Sequence, residues 1–136
     1  MSAPIADLHQ LLRSLDPLLH EGVYAFAVLR TGTDPQGLEP LATFREEEGL
    51  TVVLPEEAAR ARQLPILFRA AWISLRVHSD LAAVGLTAAV AQALAEAGLS
   101  CNVIAAAHHD HLFVPVAAAD EALVVLRELQ RRGALA

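Results

Sequence analysis

Residues 72–116 switch the period of their hydrophobic residues twice, and this switch restricts the possible folds more than any other part of the chain. In residues 72–77 apolar and polar side chains alternate, which predicts a strand with one buried face. In residues 86–97 apolar side chains recur every third or fourth position, which predicts a helix with one apolar stripe. Short, mostly apolar runs over residues 101–106 and 111–116 predict two further strands. The order strand, helix, strand, turn, strand is typical of a small α+β module.

The ends of these predicted elements carry residues that favour a change of direction. Gly98 follows the last residue of the apolar stripe, where glycine most easily forms a left-handed cap. His109 and Asp110 are predicted to form the turn between the last two strands. Pro115 predicts a strand end or a sheet edge, because proline cannot donate a backbone hydrogen bond. Residues 101–106 are apolar on both faces, so we expect a covered central strand there.

One more helix follows these strands, with Asp120 near its start and Gly133 at its end. Residues 69–136 are therefore predicted to fold as β-α-β-β-α, with one further strand supplied from elsewhere. We assign this range to a C-terminal unit.

Residues 1–68 contain a rougher version of the same pattern. Pro4 favours the first turn of a helix, which Pro17 ends. A central strand is predicted over residues 23–30, and a hairpin turns at residues 46–49. We assign residues 1–68 to a degenerate N-terminal unit that lacks its full first helix.

Two segments resemble a family of small bacterial proteins predicted to contain ACT domains, which are amino-acid-sensing modules. One is residues 78–116, HSDLAAVGLTAAVAQALAEAGLSCNVIAAAHHDHLFVPV, which is similar to the C-terminal half of that family. The other is residues 41–54, LATFREEEGLTVVL, which resembles the hairpin of the family's first half and of tandem-ACT arginine sensors. The resemblance implies an α+β fold of tandem, ferredoxin-like βαββαβ units, with antiparallel sheets covered by helices. It also implies a non-catalytic regulatory protein.

Composition narrows the class of protein further. The chain has 136 residues and a net charge of −6, and all ten of its basic residues are arginine. No basic stripe is visible, so we expect no nucleic-acid partner. No run approaches the roughly eighteen apolar residues of a membrane span, so we expect no membrane partner. The single cysteine and the absence of a signal-peptide pattern favour the cytoplasm.

A histidine-rich segment could suggest a metal site. His109 and His111, with His78 on a neighbouring strand, are the weak candidate ligands for zinc or a similar ion. Adjacent strand residues point to opposite faces, so such a site needs a further donor from elsewhere. We favour a solvated turn whose geometry is set by Asp110, and we predict no metal and no cofactor.

Two other features could suggest catalysis. A nucleophilic Cys101 would need a lowered pKa and a nearby base, whereas a lone cysteine in an apolar strand is usually a core residue. The acid run Glu46 to Glu48 precedes a glycine, which is typical of a solvated turn. We predict no catalytic residue and therefore no enzyme.

The loop over residues 79–87 is the favoured site. The free N–H groups and positive dipole of a helix N-terminus attract a carboxylate, and Gly85 lets a ligand approach the backbone. An ordinary capped loop is the structural alternative. The resemblance favours binding, because ACT-type sites lie at this loop and the following strand, although Ala107 and His108 stand where the family tends to be aromatic. Carried over position by position, it implies these ligand-binding residues: Ser79, Asp80, Gly85, Leu86, Cys101 and Asn102.

The predicted function is therefore binding of a small molecule, an amino acid, with a sensory or regulatory outcome. The ligand carboxylate would lie at the Gly85 end of the helix and its amine near Asp80. We expect a homodimer, since exposed sheet edges favour pairing, and a regulated partner protein. Two alternatives remain open: a ligand-free module that regulates a partner by dimerisation, and a small metal- or cysteine-dependent enzyme.

Overall fold

The computed structural model describes residues 3–135. The helices are α1 (Leu8–Arg13), α2 (Glu56–Ala61), α3 (Leu86–Glu96) and α4 (Ala119–Leu135). The strands are β1 (Pro17–Leu19), β2 (Tyr24–Leu29), β3 (Ala42–Glu46), β4 (Gly49–Pro55), β5 (Phe68–Leu75), β6 (Asn102–Ala105) and β7 (Asp110–Pro115). A 3-10 turn over Val116–Ala118 precedes α4.

The chain forms two compact units that are not its two halves. One, the continuous unit, comprises residues 21–70. The other, the discontinuous unit, combines residues 3–20 with residues 71–135. Residues 3–20 therefore pack with residues 71–135. The division of the chain at residue 68 remains a prediction from the sequence.

The continuous unit is an antiparallel sheet in the order β3-β4-β2-β5. Strand β4 pairs with β3 on one side and with β2 on the other, and residues 68–70 of β5 pair with β2. Its core consists mainly of small and branched side chains: Ala25, Ala27, Leu29, Leu38, Val52, Leu54 and Ala59. The loop over residues 30–41 joins β2 to β3, so this unit lacks a helix at that position, as its composition predicts.

In the discontinuous unit the strands lie in the order β1-β5-β7-β6. Strand β1 pairs with β5 from Pro17↔Leu75 to Leu19↔Ile73 and supplies the strand that the β-α-β-β-α pattern lacked. One sheet face packs on α1, α3 and α4. Large aliphatic residues fill this core, among them Leu11, Ile73, Val90, Leu94, Leu112 and Leu126.

Several predictions of local structure are confirmed. Helix α3 buries Leu86, Val90 and Leu94 along its predicted stripe. Gly98 has a φ of 76°, the left-handed conformation expected after a helix. Pro115 is the last residue of β7. These features depend on neighbours in the sequence, which is why periodicity reveals them.

Other predictions are wrong. Residues 101–106 do not form a covered central strand, because β6 is an edge strand with partly exposed residues, and β7 is its one partner in the described chain. Asp110 does not lie in the turn but begins β7. The first helix spans only Leu8–Arg13 and is capped by Asp7, whose carboxylate accepts a hydrogen bond from the Gln10 N–H at 2.9 Å. Gly133 lies inside α4, where close packing on α1 requires a glycine.

Candidate functional site

The loop between β5 and α3 has a defined backbone conformation. The Ile5 N–H donates to the carbonyl of His78, and the Asp80 N–H donates to the carbonyl of Ile5, at 2.8 and 2.9 Å. The Asp80 side chain accepts a hydrogen bond from the Ala82 N–H at 2.8 Å, which forms an Asx turn. The N-terminal segment thus holds the loop from one side while the turn fixes it from within.

This loop borders a cavity of about 120 Å³ in the discontinuous unit. The lining residues are Ser79, Asp80, Leu81, Ala83, Gly85, Leu86, Thr87, Ala105 and Asp110. Four of the six residues suggested by the sequence are in this set: Ser79, Asp80, Gly85 and Leu86.

The other two suggested residues, Cys101 and Asn102, do not line the cavity. Strand β6 reaches the cavity through Ala105, its last residue. Asn102 is three residues away along the strand, a distance of roughly 10 Å at about 3.3 Å per residue. The two positions belong to the strand that the resemblance indicated, but to its other end.

Asp110 is the site residue that the sequence analysis missed. Its side chain is buried, with 7% of the residue exposed, and Oδ2 accepts a hydrogen bond from Ser79 Oγ at 3.3 Å. No basic side chain lines the cavity. A buried carboxylate is costly unless a donor or a cation compensates it. In the sequence, this role was indicated only by an acid at the start of a strongly apolar strand. An acid at that position is also expected in an ordinary turn.

The cavity has a negative and a positive end. Asp80 and Asp110 provide carboxylates, whereas Gly85, the N-cap of α3, opens the positive end of a helix dipole. No side chain caps the first N–H groups of α3. Gly85 has a φ of 104°, a conformation that other residues rarely adopt. The arrangement can therefore hold a cationic group and a carboxylate on one small ligand.

The histidines do not assemble a metal site in the part of the chain that the structure describes, where no three His, Cys, Asp or Glu side chains group suitably. The rings of His78 and His108 lie 5.3 Å apart, and those of His109 and His111 lie 6.5 Å apart. His111 is instead part of a hydrogen-bonded network on β5 and β7.

That network joins four side chains of the discontinuous unit. Trp72 Nε1 donates to His111 Nδ1 at 3.0 Å, and Ser74 Oγ lies 2.8 Å from the same nitrogen. His20 Nε2 lies 2.7 Å from Ser74 Oγ, and its ring stacks on Trp72. Because an indole N–H can only donate, His111 Nδ1 must be unprotonated and accept this hydrogen bond. The Ser74 hydroxyl therefore also donates to His111 Nδ1, and its oxygen accepts from His20 Nε2.

The electrostatics of this network favour neutral histidines. Burial, followed by the nearby His111, lowers the pKa of His20. Burial, followed by His109, lowers the pKa of His111, although Asp110 acts in the opposite direction. The sequence analysis missed His20, Trp72 and Ser74, because they meet His111 only through the pairing of β1 with β5 and of β5 with β7.

The reactivity required of a nucleophile is missing at Cys101. Burial raises the pKa of its thiol to about 11, so the thiol is protonated at neutral pH. The surroundings of Cys101 therefore do not favour a nucleophilic role for its thiol.

Comparison with known proteins identifies the class. A model of the ACT domain matches residues 3–71, and a second ACT domain model matches residues 68–128. The chain therefore belongs to the ACT domain family, as two domains in tandem, and the predicted ferredoxin-like α+β fold is confirmed. ACT domains are regulatory modules that bind small molecules such as amino acids and often form oligomers. The tandem arrangement thus indicates a regulatory role with small-molecule binding.

Solved structures agree with this fold. A Vibrio cholerae protein of unknown function, described as a possible transport protein, is 48% identical with a TM-score of 0.82, covering 90% of this chain and 95% of that one. The regulatory subunit of aspartate kinase from Thermus flavus is 11% identical with a TM-score of 0.57, covering 83% and 95%. Aspartokinase III of E. coli, in complex with aspartate and ADP, is 11% identical with a TM-score of 0.61, covering 83% and 32%. No curated protein matches the sequence.

Within the described residues, no helix has both the length and the apolar character needed to cross a membrane.

Proposed function

We propose that the protein is a non-catalytic sensor that binds a small free amino acid in the cavity between the 79–87 loop and the start of β7. The observation that carries this proposal is the buried carboxylate of Asp110, which lines a cavity whose lining includes no basic side chain. A ligand ammonium group would compensate that charge. A carboxylate on the same ligand would accept from the uncapped N–H groups at the start of α3.

Each lining residue has a role in this proposal. Asp110 and Asp80 contact the ammonium group, and Ser79 orients the Asp110 carboxylate through its hydrogen bond. Gly85 allows the ligand carboxylate to approach the helix end, and Leu86 closes the apolar side. A cavity of about 120 Å³ favours a short side chain on the ligand.

Cys101 and Asn102 remain in the proposal only as contacts for a longer ligand. Because they lie at the far end of β6, they would contact only a ligand that extends along that strand. A compact amino acid would leave both untouched.

The regulatory output would pass through β6. Ala105 lines the cavity, and its strand is the sheet edge of the discontinuous unit. An open edge can pair with a second chain, so ligand binding would bias the formation of a homodimer or the pairing with a partner protein. The same edge favours the second candidate function, a module that assembles without any ligand.

Thermal unfolding of dialysed protein against each of the twenty amino acids tests the proposal. A ligand at a hundred times its dissociation constant adds about 2.7 kcal/mol, a shift of several degrees in Tm. We expect one or two small amino acids to shift Tm in the parent chain and in Glu47→Gln, an exposed control. If no amino acid shifts Tm while the protein dimerises unaided, the ligand-free module is the better description.

A further inference from the structure

The continuous unit contains a second, differently charged cavity. An open groove of about 450 Å³ lies where α2 ends and β5 begins. Its lining residues are Arg60, Gln63, Leu64, Pro65, Ile66 and Arg69. None of them belongs to the amino-acid site proposed above, and none was singled out by the sequence.

Two arginines converge on one partly buried acid beside this groove. Glu56 Oε1 accepts from Arg60 Nη2 at 2.8 Å and from Arg69 Nε at 2.7 Å, and Oε2 accepts from Arg69 Nη2 at 3.2 Å. The Glu56 side chain is only 12% exposed, whereas those of Arg60 and Arg69 are 65% and 53% exposed. These hydrogen bonds, Arg69 first, lower the pKa of Glu56 to about 2, so the acid stays ionised.

This trio therefore carries one excess positive charge in a chain whose net charge is −6. Glu56 holds both guanidinium groups from beneath and limits their rotation. Within residues 3–135, Arg60 Nε and Nη1 and Arg69 Nη1 make no hydrogen bond, so they remain available for an acceptor. Guanidinium groups held in this way match the oxygens of a carboxylate or a phosphate.

The rest of the groove is apolar apart from one amide. Leu64 and Ile66 pack against the core of the unit, and Pro65 stands between them. Gln63 has a φ of 55°, a left-handed conformation at the end of α2 where glycine is usual. The chain keeps a strained glutamine at this position, and this residue lines the groove.

We propose that this groove binds a small organic oxyanion, a carboxylate or a phosphate that carries an apolar group. Arg60 and Arg69 contact the oxyanion, Gln63 donates its amide, and Leu64, Pro65 and Ile66 contact the apolar group. The charged side chains that line the two sites differ in sign, because acids and no basic side chain line the amino-acid cavity, whereas arginines line the groove.

Calorimetric titration with benzoate, phenyl phosphate and inorganic phosphate tests the proposal on the full chain. We expect saturable binding of benzoate, phenyl phosphate or both, tighter than that of inorganic phosphate, which lacks the apolar group. The stronger of the two aromatic probes identifies the oxyanion as carboxylate or phosphate. Equal binding of all three probes, or no saturation by either aromatic probe at millimolar concentration, overturns the proposal.

Matched variants locate the binding. Arg60→Gln leaves the Arg69–Glu56 pair in place and should weaken binding about tenfold, the loss expected for one hydrogen bond to a charged group. Arg45→Gln removes an equal charge from β3, outside the groove lining, and should leave binding unchanged. Equal weakening by both variants would show that net charge alone attracts the anion, which contradicts a built site.

The variant Gln63→Gly tests whether the Gln63 side chain contacts the ligand or affects only the stability of the backbone. Glycine relieves the positive φ, so this variant should raise Tm without ligand and still bind the probe more weakly. A variant with higher Tm and unchanged probe affinity would remove Gln63 from the site. Because these titrations use no amino acid and change no residue of the 79–87 loop, their failure is distinct from failure of the proposed sensor function.

Discussion

Ser79 Oγ donates a hydrogen bond to Asp110 Oδ2 over 3.3 Å, and this bond joins the loop before α3 to the first residue of β7. The two residues are far apart in the sequence, and both are buried. The bond holds a second carboxylate, besides that of Asp80, at the lining of the cavity. A test of the proposed site therefore begins with this acid.

Asp110→Asn should abolish the amino-acid-induced shift of Tm. The amide keeps the size of the carboxylate and still accepts from Ser79, but it cannot pair with an ammonium group. Without ligand, the free energy of unfolding should stay the same or rise, because an uncompensated buried charge is removed. Thermal unfolding with and without the identified amino acid measures both effects. A variant that responds to ligand as the parent does would place the ammonium elsewhere.

Gly85→Ala should destabilise the protein more than Gly98→Ala does. Both glycines have positive φ, so both variants carry a backbone cost of about 1–2 kcal/mol. Only at Gly85 would the new Cβ meet a neighbour, Leu8 Cδ2 at 3.1 Å, whereas nothing lies within 4 Å at Gly98. Urea unfolding of both variants isolates the contact with Leu8. Equal losses would mean that Leu8 moves aside freely.

Gly133→Ala should lower the free energy of unfolding by about 1–3 kcal/mol, the usual cost of overpacking. Alanine favours a helix over glycine by about 1 kcal/mol, so propensity alone predicts the opposite sign. The added Cβ would lie 2.8 Å from Leu12 Cβ and 2.9 Å from the Arg13 backbone nitrogen, and the latter cannot yield easily. Denaturant unfolding measures the sign. Val124→Ala, on the exposed side of α4, is the control and should be nearly neutral.

Stability should fall as pH drops below 6.5, the ordinary pKa of histidine. His20 and His111 have lowered pKa values in the folded state, so below that pH the unfolded chain binds more protons than the native one. The loss continues down to the folded pKa values. Unfolding at stepped pH, followed by the fluorescence of Trp72, the one tryptophan, measures it. His111→Gln should flatten the profile, and an unchanged profile would assign the effect to other groups.

The order of elements from β5 onward could be predicted because it depends on local patterns. The stripe of α3 and the left-handed Gly98 are decided by residues close together in sequence, and the structure shows both. The same local patterns located the loop before α3, and the resemblance to ACT domains is what favoured it as a ligand site. Whether that loop binds an amino acid is a proposal that the titration decides.

Position in the sheet could not be predicted in the same way. Residues 101–106 are apolar, but their edge position follows from the strand order β1-β5-β7-β6, which involves distant parts of the chain. His20 and Ser74 come together because β1 pairs with β5, and His111 joins them from β7. No spacing along the sequence indicates such a meeting.

The sequence by itself determined the α+β class and the approximate positions of the helices and strands from β5 onward, because hydrophobic periodicity and glycine conformation act over a few residues. The family followed from the resemblance of two segments to known sequences. Tertiary structure alone decided that Pro17–Leu19 pairs as β1 with β5, that Asp110 is buried beside Ser79, and that Arg60 and Arg69 share Glu56. These relationships depend on burial and on the pairing of distant strands, and burial is what turns an ordinary acid or arginine into a selective contact.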